Sequence, residues 1–275
     1  MTPSAAAHLA PDPPPLLQER EGSIAVLTLN RPAARNSLSD ALLAALGEAL
    51  AAIARDGGVR VVVLAANGPA FCAGHDLKEV TARRGDADRG RAYFADLMET
   101  CSAVMTAIVR LPQPVIAAVQ GPATAAGCQL VASCDLAVAS SNATFCTPGV
   151  NIGLFCSTPM VALSRNVPRK HAMEMLLTGE TISADAAQRL GLINRMVAPG
   201  SERAEAVALA RIIAAKPAAT VKIGKEAFYR QAEMGLDEAY RYAAAVMVEN
   251  MLHSDAQEGI GAFLEKRAPR WEPGT

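Results

Sequence analysis

Aromatic residues are scarce in this chain, only 4% of 275, against abundant Ala, Leu and Val. That balance favours helices with small packing surfaces over bulky aromatic cores. An excess of either charge is lacking too. With 26 basic and 27 acidic residues the formal net charge is −1, so nothing favours nucleic acid or an anionic membrane as partner. No CxxC pair and no His-rich segment accompany the six cysteines (Cys72, Cys101, Cys128, Cys134, Cys146, Cys156), which argues against a zinc site and a disulfide framework alike. Most sit in apolar runs such as Val131–Cys134, where a free Cys behaves as a small hydrophobe. No uninterrupted apolar stretch reaches the ~18–20 residues of a membrane span. The first 17 residues hold five prolines, and no Lys or Arg precedes Arg20. That is unlike a signal or transit peptide. Residues 1–20 are expected to form a flexible arm, and a cytoplasmic protein is the default expectation.

What is present is enough apolar material, 51% of residues, for one large domain. Ser23–Asn30 alternates and is rich in β-formers, so it predicts a strand ended by Arg31-Pro32. Ser37 or Ser39 can cap a helix carrying Leu43, Leu46, Leu50 and Ile53 at helical spacing. Val59–Leu64 and Val115–Val119 are nearly all apolar, which suits strands buried on both faces. Between them lie a polar, Arg-rich stretch (82–91) and an amphipathic helix from Phe94 to Ile108. Ala123–Cys134 predicts a small-residue helix, Asp135–Ser140 a strand, and Thr147–Pro159 a loop. From Glu202 onward the pattern is helical throughout. The fold class is therefore α/β, with a core over 21–200 and a helical region over 201–275.

Two strand-to-helix junctions can carry chemistry: Phe71-Cys72-Ala73-Gly74-His75 and Ala123-Thr124-Ala125-Ala126-Gly127. In each, a buried strand runs into small residues and a Gly. Small residues let backbone approach a ligand, and a helix start leaves N–H groups without intrahelical partners. Such donors suit a developing negative charge. Side by side, the two junctions would form an oxyanion hole. The other reading of the same glycines is tight helix–strand packing.

The chain resembles the enoyl-CoA hydratase/isomerase (crotonase) family from Ile24 to Arg267. The resemblance is carried by Leu29-Asn30-Arg31-Pro32, by Ala70 to Leu77, and by Pro114 to Gly121. Ala126 to Leu130 with Cys134-Asp135, Leu176 to Gly179, Gly191-Leu192-Ile193 and Glu258 to Arg267 continue the series in order. The resemblance implies a spiral of ββα turns with C-terminal helices that drive trimer formation, commonly a dimer of trimers. It implies an acyl-CoA thioester as ligand and no separate cofactor, coenzyme A being part of the substrate. The backbone N–H groups of His75 and Ala126 would form the oxyanion hole, with Ala73 and Gly127 beside them. His75, Asp76, Leu77 and Lys78 would line the coenzyme A site, Cys156 would face the acyl group, and Phe263 and Lys266 would reach coenzyme A, often that of a neighbouring subunit. Asp135 is read as a structural acid.

Both proton carriers of the family's hydratases are missing. The first glutamate follows the Gly-Cys pair, where this chain has Gln129. The second follows a proline, where Pro148 is followed by Gly149. In these departures the chain is closest to the enoyl-CoA hydratase domain-containing subgroup. An amide holds water or an acyl group by hydrogen bonds but does not shuttle protons near neutral pH. Acid–base groups supply ~10²–10⁴-fold each, so ordinary hydration should be crippled. Two classes of function stay open: an enzyme forming a thioester enolate, with methylmalonyl-CoA-type decarboxylation as one variant, and an acyl-CoA binder without turnover. A hydratase gained on Gln129→Glu with Gly149→Glu would mean that only the proton carriers are absent.

Overall fold

A computed structural model describes residues 13–271. Its centre is a six-stranded sheet. The strands are β1 (Leu16–Glu21), β2 (Ile24–Leu29), β3 (Val61–Ala66), β4 (Val115–Val119), β6 (Leu136–Ser140) and β9 (Arg195–Val197), paired in that order. β1 joins β2 antiparallel, and every other pairing is parallel. A small second sheet holds β5 (Ala123–Thr124), β7 (Thr144–Cys146) and β8 (Ile182–Ser183), in the order β5-β7-β8.

The period-2 geometry of a strand sorts the central sheet's side chains onto two faces. Ala25, Leu27 and Leu29 of β2, Val62 and Leu64 of β3, and Val115, Ala117 and Val119 of β4 enter the larger core. There they meet α1 (Asp40–Arg55) and α3 (Arg91–Arg110), which pack on each other. Ile24, Val26, Val61, Val63, Ala65, Ile116 and Ala118 point the other way. They are covered by Ala206, Val207, Leu209 and Ala210 of α8 (Glu202–Ala214). The continuous apolar runs of β3 and β4 thus follow from burial on both faces. Ser39 caps α1, its hydroxyl accepting from the Leu42 N–H at 3.2 Å. At 20 residues α3 has the length of a membrane span, but its buried residues Leu97, Cys101, Val104, Met105 and Ile108 form one stripe facing the core.

The remaining helices are α2 (Leu77–Ala82), α4 (Ala126–Ser133), α5 (Ser157–Asn166), α6 (Arg169–Thr178) and α7 (Ala184–Arg189). The chain ends in α9 (Ala218–Gln231), α10 (Leu236–Met251) and α11 (Ser254–Leu264). α9 buries only Ala219, and α10 buries nothing. Two expectations need correction. The arm expected over residues 1–20 does not extend to 20: Leu16–Glu21 is an edge strand whose register with β2 runs Leu16↔Leu29 to Glu21↔Ile24. Its residues after Leu17 are exposed, so it lacks the apolar alternation of a covered strand. Residues 1–12 of that arm lie outside the described residues. The helix expected over Ala123–Cys134 starts only at Ala126, because Ala123 and Thr124 pair with Phe145 and Cys146.

Candidate functional site

The two junctions abut. The Thr124 N–H donates to Cys72 O at 2.9 Å, and the Phe71 and Cys72 N–H groups donate to Pro122 O at 3.0 and 3.3 Å. Glycine makes this approach possible at two points. A Cβ on Gly127 would lie 2.1 Å from Cys72 O, deep inside van der Waals contact. Gly74 has φ +92°, and a Cβ there would meet Thr124 O and Ala125 Cβ at 3.1 Å and Ala126 N at 3.5 Å. Immediately before Ala126, Ala125 adopts φ 51°, ψ −116°, a conformation that Gly takes freely and Ala does not. Strain of ~1–3 kcal/mol is typical of such a residue, and it sits at the start of α4.

The two amides named from sequence are both left over by the backbone. Leu38 N–H donates to Gly74 O at 2.8 Å and Asp76 N–H to Leu38 O at 3.1 Å, so the His75 N–H faces away from that pairing. Ala126 is the first residue of α4, whose first intrahelical bond is Gln129 N–H to Ala125 O at 3.0 Å. Among the described residues neither the His75 nor the Ala126 amide has a hydrogen-bond partner.

The His75 imidazole is half-buried, with Nδ1 and Nε2 both shielded from water and unpartnered. Burial lowers its pKa below 6.5, against the opposing pull of the Asp40 carboxylate. Asp76 holds the junction from behind. Its Oδ1 accepts from the Lys78 N–H at 3.1 Å, capping α2, and its Oδ2 accepts from Arg31 Nη2 at 2.9 Å and Ser37 Oγ at 3.1 Å. Burial would raise the Asp76 pKa, but these donors outweigh it and the net shift is downward. Ala73 N–H donates to Arg35 O at 3.0 Å, while Leu77 and Lys78 are exposed. The sequence signal for the brace was Arg31 in the Leu-Asn-Arg-Pro segment, but its partner 45 positions away was not readable.

Gln129 is 5% exposed, and its Oε1 has no partner. Gly149 lies in a 3₁₀ turn over Pro148–Ile152, closed by Leu154 N–H to Gly149 O at 2.9 Å. A Cβ on Gly149 would meet Leu154 O at 2.8 Å, Cys156 Sγ at 3.0 Å and Cys156 N at 3.3 Å. Position 149 is thus not an empty glutamate seat. The space at the start of a side chain there is taken by the Leu154 carbonyl and by the Cys156 thiol and amide. Within the chain Phe263 and Lys266 stand away from the junctions: α11 packs against α10, Phe263 is 83% exposed, and Lys266 is exposed. Asp135 is a structural acid. It accepts from Val115 N–H at 2.6 Å, Lys225 Nζ at 2.6 Å and Tyr229 OH at 3.0 Å, and so fastens α9 to the starts of β4 and β6.

Adjoining strand-to-helix turns with two free amides, built on a mainly parallel sheet, define the class. The chain belongs to the enoyl-CoA hydratase/isomerase family, whose model matches residues 19–274. It is 46% identical to enoyl-CoA hydratase domain-containing protein 3, mitochondrial, of Rattus norvegicus, over 98% of this chain and 89% of the rat protein. The crystal structure of the human domain-containing protein 3 superposes with a TM-score of 0.89 at 47% identity, covering 94% of this chain and 100% of that one. An enoyl-CoA hydratase structure from Mycobacterium smegmatis gives 0.90 at 57% identity, over 94% and 99%. The crotonase fold follows from these matches. The cytoplasmic expectation does not survive them: the rat relative is named mitochondrial. That default rested on residues 1–20 being unlike a signal or transit peptide and on the lack of a membrane-length apolar run, and neither observation assigns a compartment.

Proposed function

We propose that the chain binds an acyl-CoA thioester with its carbonyl oxygen between the N–H groups of His75 and Ala126. The observation that carries this reading is the pair of unpartnered amides on abutting turns. Buried polar groups are nearly always paired, so two neighbouring donors without partners call for an acceptor. A thioester oxygen gains negative charge when an enolate forms, and one such donor is worth ~10²–10³-fold in rate. Ala73 and Gly127 keep the approach narrow, and Asp76, Leu77 and Lys78 line the way toward coenzyme A.

Hydration is not the reaction this reading favours, because neither Gln129 nor Gly149 has a titratable side chain and the space at 149 is crowded. An enolate formed by loss of CO₂, as from a methylmalonyl-type thioester, needs no strong base. A binder without turnover is the second reading, supported by the absence of a carboxylate at either hydratase position. The reading includes a homotrimer or a dimer of trimers. Leu236, Tyr240 and Met251 stand exposed on α10, which buries no residue of its own, and another copy would cover them. In such an assembly Phe263 and Lys266 could reach a neighbour's coenzyme A.

Incubation with crotonyl-, methylmalonyl- and longer acyl-CoA esters, followed by mass spectrometry of the small molecules, separates the readings. Product formation abolished by a bulky residue at Ala126 supports the enzyme. Stoichiometric binding with every ester intact supports the binder. No binding of any ester sinks both.

A further inference from the structure

We propose that Asn36 is the positioning residue of the first junction: its buried amide fixes where the His75 N–H points, and so how well a thioester carbonyl is held. The proposal rests on the acyl-CoA reading above and deepens it, by naming what aims one of the two donors.

Asn36 is 0% exposed and adopts φ 53°, directly after Arg35 at φ 50°, ψ 37°. Asn is among the few residue types besides Gly that tolerate this left-handed region. An Asn amide offers two N–H donors and one carbonyl acceptor, and all three are in use here. Nδ2 donates to Asn67 O and to Ala70 O, both at 2.8 Å, and Oδ1 accepts from the Arg31 N–H at 2.8 Å. The Asn36 N–H returns a bond to Arg31 O at 2.9 Å, which closes the turn from Arg31 to Asn36. Ala70 O also accepts from Gln120 Nε2 at 3.0 Å. Gln120 leads from β4 into the second junction, so a single carbonyl at the base of the first junction is held from both sides.

The segment shaped in this way is the template on which the first junction lies. The Ala73 N–H donates to Arg35 O, Gly74 O accepts from the Leu38 N–H, and the Asp76 N–H donates to Leu38 O. The Asp76 carboxylate accepts from the Arg31 and Ser37 side chains. Residues 73, 74 and 76 are thus all held by residues 31–38, and the free His75 N–H inherits its direction from them. Removing the Asn36 amide cuts the hydrogen-bonded tie between this template and residues 67–70, and it strips the Arg31 N–H of its acceptor. The turn that carries His75 can then shift while the sheet beneath it stays intact. Small displacements of a donor are costly because a hydrogen bond weakens steeply once its angle closes.

The test compares butyryl-CoA with S-butyl-CoA, a thioether that keeps the chain and coenzyme A but lacks the carbonyl, by calorimetry on the full chain. Two net hydrogen bonds to one oxygen should favour the thioester in the parent by roughly tenfold or more. Asn36→Gly accepts the left-handed backbone, and Asn36→Asp keeps an acceptor for the Arg31 N–H but loses both donors. In both, the preference should fall to about threefold or less while the affinity for the thioether holds. Lys225→Met, whose ammonium bonds Gln113 O ahead of β4, at the far end of that strand from the junctions, should keep the parent's preference despite its lower stability. Equal weakening of both ligands in the Asn36 variants overturns the proposal, because a residue of the fold alone would give that result. An unchanged preference overturns it too, as does failure of both variants to fold. A parent that binds neither ligand, or binds both alike, refutes the acyl-CoA reading itself and takes the proposal with it.

Discussion

Adding one methyl group at Gly127 tests how tightly the two junctions depend on each other. In Gly127→Ala the new Cβ would sit 2.1 Å from Cys72 O and 2.8 Å from both Cys72 C and Cys72 Cβ. Carbon and oxygen need ~3 Å or more, so the turns must separate by roughly 1 Å. No rotamer can relieve this, because the obstacle is backbone. Overpacking of that kind typically costs ~1–3 kcal/mol, and the bond from Thr124 N–H to Cys72 O, 2.9 Å long, lies in the path of the shift. The same displacement moves the Ala126 amide relative to the His75 amide, and a 1 Å misplacement can cost ~10²-fold in function. Urea unfolding and acyl-CoA titration of parent and variant should show both losses together. A variant that keeps the parent's stability and acyl-CoA affinity would refute the claim that the turns are in contact.

Three further outcomes follow from the same geometry. The double variant Gln129→Glu/Gly149→Glu should show no crotonyl-CoA hydration above the parent and should unfold earlier, since the Cβ at 149 meets Leu154 O at 2.8 Å; spectrophotometric loss of the enoyl absorbance checks it. Lys225→Met should destabilise by about 3 kcal/mol, because it strands Asp135, and adding Asp135→Asn should recover part of the loss in urea melts. For His75, burial lowers the folded-state pKa below the unfolded value of 6.5, so the unfolded chain binds the proton first and stability falls as pH drops below 6.5. His75→Asn should flatten the fall of the unfolding midpoint as pH drops below ~6.5, and an unchanged slope would contradict the burial.

Much of this architecture could be read directly from residue order. β2, β3, β4 and β6 announce themselves as apolar runs because each is covered on both faces, and α1 and α3 because each buries one stripe. β5, β7, β8 and β9 have two or three residues, too few for any period, and exist only because a partner is supplied from elsewhere in the chain. β1 escaped notice because Gln18–Glu21 is polar and exposed, as an edge can be. At the site, small residues and glycines marked both junctions, and the sequence alone shows that neither 129 nor 149 is a carboxylate. The obstruction at 149 was not, because Leu154 and Cys156 return to it only through the turn that follows. Nor was the Lys225–Asp135 pair, 90 positions apart and meaningful only once α9 is laid against the starts of β4 and β6.

The central claim concerns where one oxygen atom goes. A crystal structure of the protein with butyryl-CoA bound would locate the thioester carbonyl directly. The account predicts that its oxygen lies ~2.7–3.1 Å from both the His75 and Ala126 nitrogens. A carbonyl held by only one of them, or an acyl group seated away from the junctions, would contradict it.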